Sequence, residues 1–150
     1  MERTVEYSRT KQVQLLMYEH MNHQRRLFGG RLMEWIDIVA GVVSRRHCGM
    51  TVTTACIDQL DFLGPAFMGD MVELDGRITY TGRTSMEIRV DTWVENLSGE
   101  RKLINRAYLV MVALDENGKP APVPALKLET DEERAEWEAA IRRRDARKHN

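Results

Sequence analysis

The sequence predicts an α+β fold: one antiparallel sheet of five strands wrapped around a long central helix, with a second helix appended at the C-terminus. Three observations carry this. The segment Leu32 to Val43, LMEWIDIVAGVV, is apolar except at Glu34, Asp37 and Gly41 and places apolar residues at every angular position of a helix. Such a helix is expected to be buried, since an exposed helix needs a polar face. Beyond Met50 the chain alternates apolar and polar residues between turn signals, the pattern of an antiparallel meander. Thr130-Asp131-Glu132-Glu133 has the form of a capping box ahead of a charged tail, which starts a further helix.

In chain order, Lys11 to Met21 (KQVQLLMYEHM) alternates in part and reads as a first strand. A polar, basic loop follows from Asn22 to Leu27, and Phe28-Gly29-Gly30 opens the central helix. Gly41 inside that helix costs about 1 kcal/mol against alanine, so a close packing contact is expected there. Thr51 to Leu63 is rich in β-branched residues. Val72, Leu74, Ile78 and Tyr80 then alternate with polar neighbours, and so do Met86, Ile88, Val90, Thr92 and Val94. Gly82-Arg83 and Leu97-Ser98-Gly99 supply the turns. Ala107 to Leu114 (AYLVMVAL) is apolar on both faces, as a central strand should be. Asp115 to Gly118 ends it as a turn, and Lys119 to Leu126, with Pro120, Pro122 and Pro124, reads as an extended connector. Residues 1–126 therefore form the sheet-and-helix domain and residues 127–150 a helical extension. The basic end of that extension, Arg142, Arg143, Arg144, Arg147 and Lys148, complements the helix dipole and is expected to be a solvated face, the other reading being a phosphate-holding role toward a neighbouring subunit.

With 150 residues, 43% hydrophobic and 30% charged, the chain is long enough for one domain with its own core. Its 22 basic and 23 acidic residues nearly cancel. Nothing in the overall charge points to nucleic acid or a membrane surface. Cys48 and Cys56 lack the CxxC spacing and are expected to be reduced thiols. His20, His23, His47 and His149 form no metal-ligating spacing. No apolar run approaches the roughly 18 residues that span a bilayer, and a cytoplasmic protein is expected.

Asp37 is the residue that folding alone explains least. A carboxylate inside an apolar helix is costly unless it is paired or hydrogen-bonded. It is suited to act as general base or nucleophile, or alternatively to face a subunit contact or cap a neighbouring loop. The glycines before the helix are the second feature. A helix N-terminus leaves backbone N–H groups unpaired, and glycine lets a carbonyl approach them, which would make an oxyanion hole; a plain turn is the other reading. Asp37 lies roughly 10–12 Å along the helix axis from Gly29 and Gly30. One chain's helix start and its own Asp37 therefore cannot reach the same carbonyl, and a site shared between protomers follows.

The stretch from Asn22 to Asp37, NHQRRLFGGRLMEWID, resembles the opening motif of the cytosolic and bacterial acyl-CoA hydrolases of the hot-dog fold. Asp61-Phe62-Leu63-Gly64-Pro65, Gly69-Asp70, Gly82-Arg83-Thr84-Ser85-Met86-Glu87 and Val112-Ala113-Leu114-Asp115 resemble that family in the same order, so the likeness covers about residues 9 to 126. The resemblance implies that Asp37 activates water or attacks the thioester carbonyl, and that Asn22, from the facing unit, orients water or the thioester. It also implies an oxyanion donor at the Gly30 amide, and a turn at Gly82, Arg83, Thr84 and Ser85 that lies along the pantetheine and phosphates of coenzyme A. No cofactor is implied, coenzyme A being part of the substrate, and the expected assembly is at least a homodimer, further built into a trimer of dimers. Where the family usually carries glycine this chain has Arg25, which with Arg26 is either a candidate for the CoA phosphates, guanidinium pairing well with phosphate, or simply a solvated basic loop.

Two other functions stay open at the level of sequence, because fold does not fix activity. One is a non-catalytic acyl-CoA-binding or sensing module. The other is a hydratase or dehydratase, for which His20 or His23 would supply the histidine. The carboxylate at Asp37 favours hydrolysis, since a binder has no need of it.

Overall fold

A computed structural model describes residues 1–148; His149, weighed above for metal binding, lies outside the described residues. In chain order the elements are β1 (Glu2–Thr4), α1 (Val5–Ser8), β2 (Thr10–Leu15), α2 (Gly29–Cys48), β3 (Thr51–Phe62), β4 (Met71–Thr81), β5 (Ser85–Glu95), β6 (Arg101–Leu114), β7 (Ala125–Lys127) and α3 (Asp131–Lys148). Five strands form one antiparallel sheet in the order β2-β4-β5-β6-β3, which leaves β2 and β3 at the edges. The predicted fold class, a five-stranded antiparallel sheet with a central helix and a C-terminal helix, is the observed one.

The sheet curls around α2 because the helix presents Leu32, Ile36, Val39 and Val43 to it at helical spacing, all 2% exposed or less. They meet the inward residues of alternating strands, among them Leu74, Ile78, Ile88 and Leu109, which are equally buried. Full burial of each such side chain stabilises the fold by about 1.5–3 kcal/mol. Contact is closest at Gly76 in β4. A Cβ there would lie 2.6 Å from Val39 Cγ1 and 3.0 Å from Val43 Cγ2, so only glycine lets the helix rest on the strand. The helix runs past Val43, where the apolar signal ends, because Ser44, His47 and Cys48 keep a buried side while Arg45 and Arg46 face solvent, the Ser44 hydroxyl being satisfied on the Ala40 carbonyl at 2.8 Å. Gly49 stops it in the left-handed conformation, at φ 70°, with its N–H on the Arg45 carbonyl.

Several expectations are corrected. The first strand ends at Leu15, and Tyr18–His20 forms a 3-10 turn. Within the single chain α2 is not buried all round: Met33 is 37% and Ile38 48% exposed, Glu34 is exposed, and Asp37 is half-buried. The face carrying Glu34, Asp37, Ile38 and Gly41 is open, and a Cβ at Gly41 would meet nothing within 4 Å, so no close contact inside the chain explains that glycine. Part of the proline-rich connector becomes β7, which pairs in parallel with β1. His47, fully buried at the end of α2, ties the connector down through Nε2 to the Pro124 carbonyl at 2.8 Å.

The C-terminal helix starts as predicted, with the Glu133 N–H donating to Thr130 Oγ1 at 3.0 Å. Its basic end is not a solvated face. Glu87, Arg89 and Asp91 alternate with core-facing Met86, Ile88 and Val90 and so point to the sheet's outer side. There α3 covers them: Arg143 pairs with Glu87 at 2.7 Å, Glu136 with Arg89 at 3.3 Å and Arg147 with Asp58 at 3.0 Å, while Trp137 packs on Tyr80. Burial pushes the Asp91 carboxyl up, but hydrogen bonds from Arg106 and Arg89 outweigh it and hold the group below the usual carboxylate range.

Candidate active site

Asp37 stands about two turns into α2, on its open face. Thr54 of the edge strand β3 donates its hydroxyl to Asp37 Oδ1 at 2.6 Å. The other carboxylate oxygen has no hydrogen-bond partner among the described residues. A carboxylate steered by one hydroxyl and free at its second oxygen can take a proton from water or attack a carbonyl carbon. Thr54 was not found by sequence reasoning. Threonine is common in strands, and only the tertiary packing of β3 beside α2 singles out this one.

At the start of α2, the N–H groups of Arg31 and Leu32 donate to the Phe28 carbonyl, and those of Gly29 and Gly30 have no partner among the described residues. They are the orphan donors that a helix N-terminus leaves. The Phe28 ring lies over this turn, and a Cβ at Gly30 would sit 2.8 Å from its Cε1, so glycine makes room for that ring.

Asn22 organises the loop ahead of the helix. Its Oδ1 accepts from the N–H groups of Gln24 at 2.8 Å and Arg26 at 3.2 Å, and its own N–H donates to the Arg26 carbonyl. That leaves the amide nitrogen of the side chain to donate outward. Arg25 adopts φ 61°, the left-handed conformation that favours glycine. The loop thus keeps the backbone shape that glycine would give, with a guanidinium added. Tyr18, Met21, Asn22, His23, Arg25 and Met68 line a cleft of about 400 Å³, which does not include Asp37.

The turn at Gly82 to Ser85 is closed by the Gly82 N–H on the Ser85 carbonyl and docked by the Val123 and Ala113 N–H groups on the carbonyls of Arg83 and Thr84. Ser85 pairs with Val112, and Leu114 pairs with Thr51. The turn therefore lies at the end of the sheet where α2 stops, opposite the Asn22 loop and Gly30. Ser85 shares a cavity of about 210 Å³ with Tyr80, Arg144, Arg147 and Lys148. One chain thus brings Asn22, Arg25 and Gly30 to one end and Gly82, Arg83, Thr84 and Ser85 to the other, with Asp37 between. It does not bring them into one site.

His20 is occupied elsewhere. Its Nδ1 accepts from the Met17 N–H at 3.0 Å, and its ring stands edge-on to Trp35 at 5.0 Å. His23 is exposed on the loop. Among the described residues no group of three His, Cys, Asp or Glu side chains is placed to hold a metal, and no helix is long and apolar enough to cross a membrane. Cys48 and Cys56 are unpaired thiols.

Comparison with known proteins adds a family to this geometry. Residues 25–98 match the family model of the thioesterase superfamily. A Bacillus subtilis protein named as an uncharacterized acyl-CoA thioester hydrolase is 43% identical over 129 residues, 85% of this chain and 75% of that one. The cytosolic acyl coenzyme A thioester hydrolase of Rattus norvegicus is 35% identical over 139 residues, and there the chain spans only 36% of its relative's length. Among solved structures, an apo-hexameric acyl-CoA thioesterase superposes with a TM-score of 0.96 at 43% identity, covering 99% of this chain and 96% of that one. An acyl-CoA hydrolase of Staphylococcus aureus, in complex with butyryl coenzyme A and coenzyme A, superposes at 0.93 with 32% identity, covering 99% of this chain and 92% of that one. Alanine variants of that enzyme exist at an asparagine, an aspartate and a threonine, whose spacing in sequence is that of Asn22, Asp37 and Thr54.

Proposed function

This chain belongs to the thioesterase superfamily, and we propose that it hydrolyses the thioester of an acyl-coenzyme A to a free carboxylic acid and CoA, with Asp37 as the catalytic carboxylate. The observation that carries the reading is the Thr54 hydroxyl held at 2.6 Å on Asp37 Oδ1, on the open face of α2. A carboxylate kept only for stability would be expected to find a cationic partner, and among the described residues Asp37 has none. The curated relatives named acyl-CoA thioester hydrolases, and a neighbour solved with butyryl coenzyme A, support the same chemistry.

As general base, Asp37 takes a proton from water as the hydroxide adds to the thioester carbonyl. The tetrahedral intermediate then collapses with cleavage of the C–S bond, and the proton goes to the departing CoA thiolate. As nucleophile, the carboxylate adds to the same carbon, and the C–S bond breaks to expel the CoA thiolate. Water then opens the mixed anhydride to the free acid and the Asp37 carboxylate, the released proton going to the thiolate. Either route develops an oxyanion, and the unpaired N–H of Gly30 is the donor proposed for it. The side-chain nitrogen of Asn22 orients the water or the thioester. Gly82, Arg83, Thr84 and Ser85 hold the CoA arm, and Arg25 meets its phosphates. The reaction needs no cofactor beyond these groups, so activity is expected to persist in EDTA.

Since one chain separates Gly30 and Asn22 from Asp37, the complete site is shared between two copies. A second copy laid on the open face of α2 and the edge of β3 covers Met33, Ile38 and Ile57, apolar residues that are otherwise exposed. A dimer so formed, assembled as a trimer of dimers, agrees with the hexameric state of the structural relative. A cytoplasmic location fits the free thiols and the cytosolic rat relative.

The test is thiol release from saturated acyl-CoAs of increasing chain length, with EDTA present. Turnover is the expected result. Saturated chains have nothing to hydrate, so turnover separates hydrolysis from hydration. Binding without release across the panel would make the protein an acyl-CoA-binding module.

A further inference from the structure

The terminal helix α3 does more than cover the sheet's outer face. Arg143 and Arg147 lie one turn apart and so project from the same side of α3. Arg147 reaches Asp58 of β3 at 3.0 Å, and the Arg143 guanidinium stacks on Tyr108 of β6, 3.8 Å from the ring centroid. Asp58 and Tyr108 are partners in the β3–β6 ladder. The two arginines therefore grip both sides of one ladder pair. Their footing is firm, because Arg143 is also fixed on buried Glu87, itself bound by the Thr79 hydroxyl at 2.6 Å.

The place of this grip matters. β3 is an edge strand, paired within the chain to β6 alone. Its ladder is irregular twice, between Thr54 and Cys56 and again between Asp58 and Asp61. The segment between the two irregularities, Cys56 to Asp58, is a short run of edge strand whose ladder is locally disrupted at both ends. At one end of it Thr54 holds Asp37, and at the other Asp58 is held by Arg147.

We infer that Arg147 and Asp58 form a positioning pair, through which α3 fixes the register of the edge segment and so the placement of the Thr54 hydroxyl on Asp37. The inference rests on Asp37 being the catalytic carboxylate. It makes α3 part of the apparatus that aims that carboxylate, although no residue of α3 touches it.

The experiment is a double-mutant cycle on thiol release, with Arg147→Ala, Thr54→Val, the double variant, Arg147→Lys and an Asp37→Ala control. Arg147→Ala is expected to lower kcat about tenfold, the scale of coupling within one hydrogen-bonded network, and to leave KM within about twofold. Light scattering is expected to give an unchanged mass. Arg147→Lys should restore most of kcat, and in the Thr54→Val background Arg147→Ala should cost nothing further. An equal loss in both backgrounds would mean that Arg147 acts without Thr54, and the inference falls. It falls alone if Asp37→Ala is inactive while Arg147→Ala equals wild type. If Asp37→Ala keeps wild-type turnover, the catalytic reading falls with it.

Discussion

Arg25 shows how one residue is placed against its own preference. Its backbone sits at φ 61°, where a side chain costs on the order of 1 kcal/mol relative to glycine. The loop keeps this shape because Asn22 binds it from inside, through two N–H groups on one Oδ1. If Arg25 meets the CoA phosphates, Arg25→Gly trades affinity for stability. The expected result is a melting temperature higher by about 2–4 °C and a KM for acyl-CoA that rises severalfold with kcat unchanged. A melting temperature that falls would show that the arginine, not the backbone, holds the loop. Asp37 poses the opposite case, a residue whose chemistry was legible although its partner was not. Asp37 was evident as a carboxylate among apolar neighbours, and the structure adds that one hydroxyl binds it. Thr54 was invisible, because nothing in a threonine-rich strand marks which threonine faces the helix.

At the scale of elements, α2 was legible as an apolar run too long for a strand, β3 from its β-branched residues, β4 and β5 from their alternation, and β6 as a run apolar on both faces. The rest was hidden for reasons that can be named. The last turn of α2 is polar, and it is helical because Ser44, His47 and Cys48 find a buried side and Gly49 caps it. β1 and β7 are short and pair across nearly the whole chain, which no local pattern encodes. The basic end of α3 read as solvated, since its acidic partners lie on distant strands. His47 joins two of these elements, and burial pushes its pKa below the ordinary 6.5, so it is neutral in the fold and its Nδ1 is left without a partner. The sign of the pH effect follows by linkage. Below pH 6.5 the unfolded chain binds a proton that the fold resists, so this contribution is fully present above 6.5 and is lost as pH falls through the lowered folded value. Thermal melts between pH 7.5 and 5 should therefore fall more steeply for wild type than for His47→Gln, whose amide still reaches Pro124. Parallel curves would remove His47 as the cause.

For the whole molecule, the decisive property is that one chain holds Asp37 apart from Asn22 and Gly30, so the proposed site needs two copies. The separation of Asp37 from the helix start was legible from helix geometry alone. The open face of α2 was not, because an all-apolar helix gives no sign of which apolar residues meet the sheet and which stay outside it. The structure resolves this: Val39 and Val43 face the sheet, while Met33 and Ile38 are left outside. A shared site has a direct consequence for mixed assemblies. Chains carrying Asn22→Ala and chains carrying Asp37→Ala are each expected to be nearly inactive. Hybrids of the two regain about half of the sites in mixed dimers, since one site then receives both native residues and the other neither. Verified hybrids without recovered turnover would place the whole site within one chain.

All of this depends on Asp37, and the most direct measurement is the rate of thiol release by Asp37→Ala beside wild type, on the acyl-CoA that wild type turns over best. The account expects kcat to fall at least about a hundredfold, the scale of a lost general base, with acyl-CoA binding and the assembly retained. A variant that binds acyl-CoA as before and still releases CoA at the wild-type rate would contradict it, and would leave Asp37 as a residue of the interface.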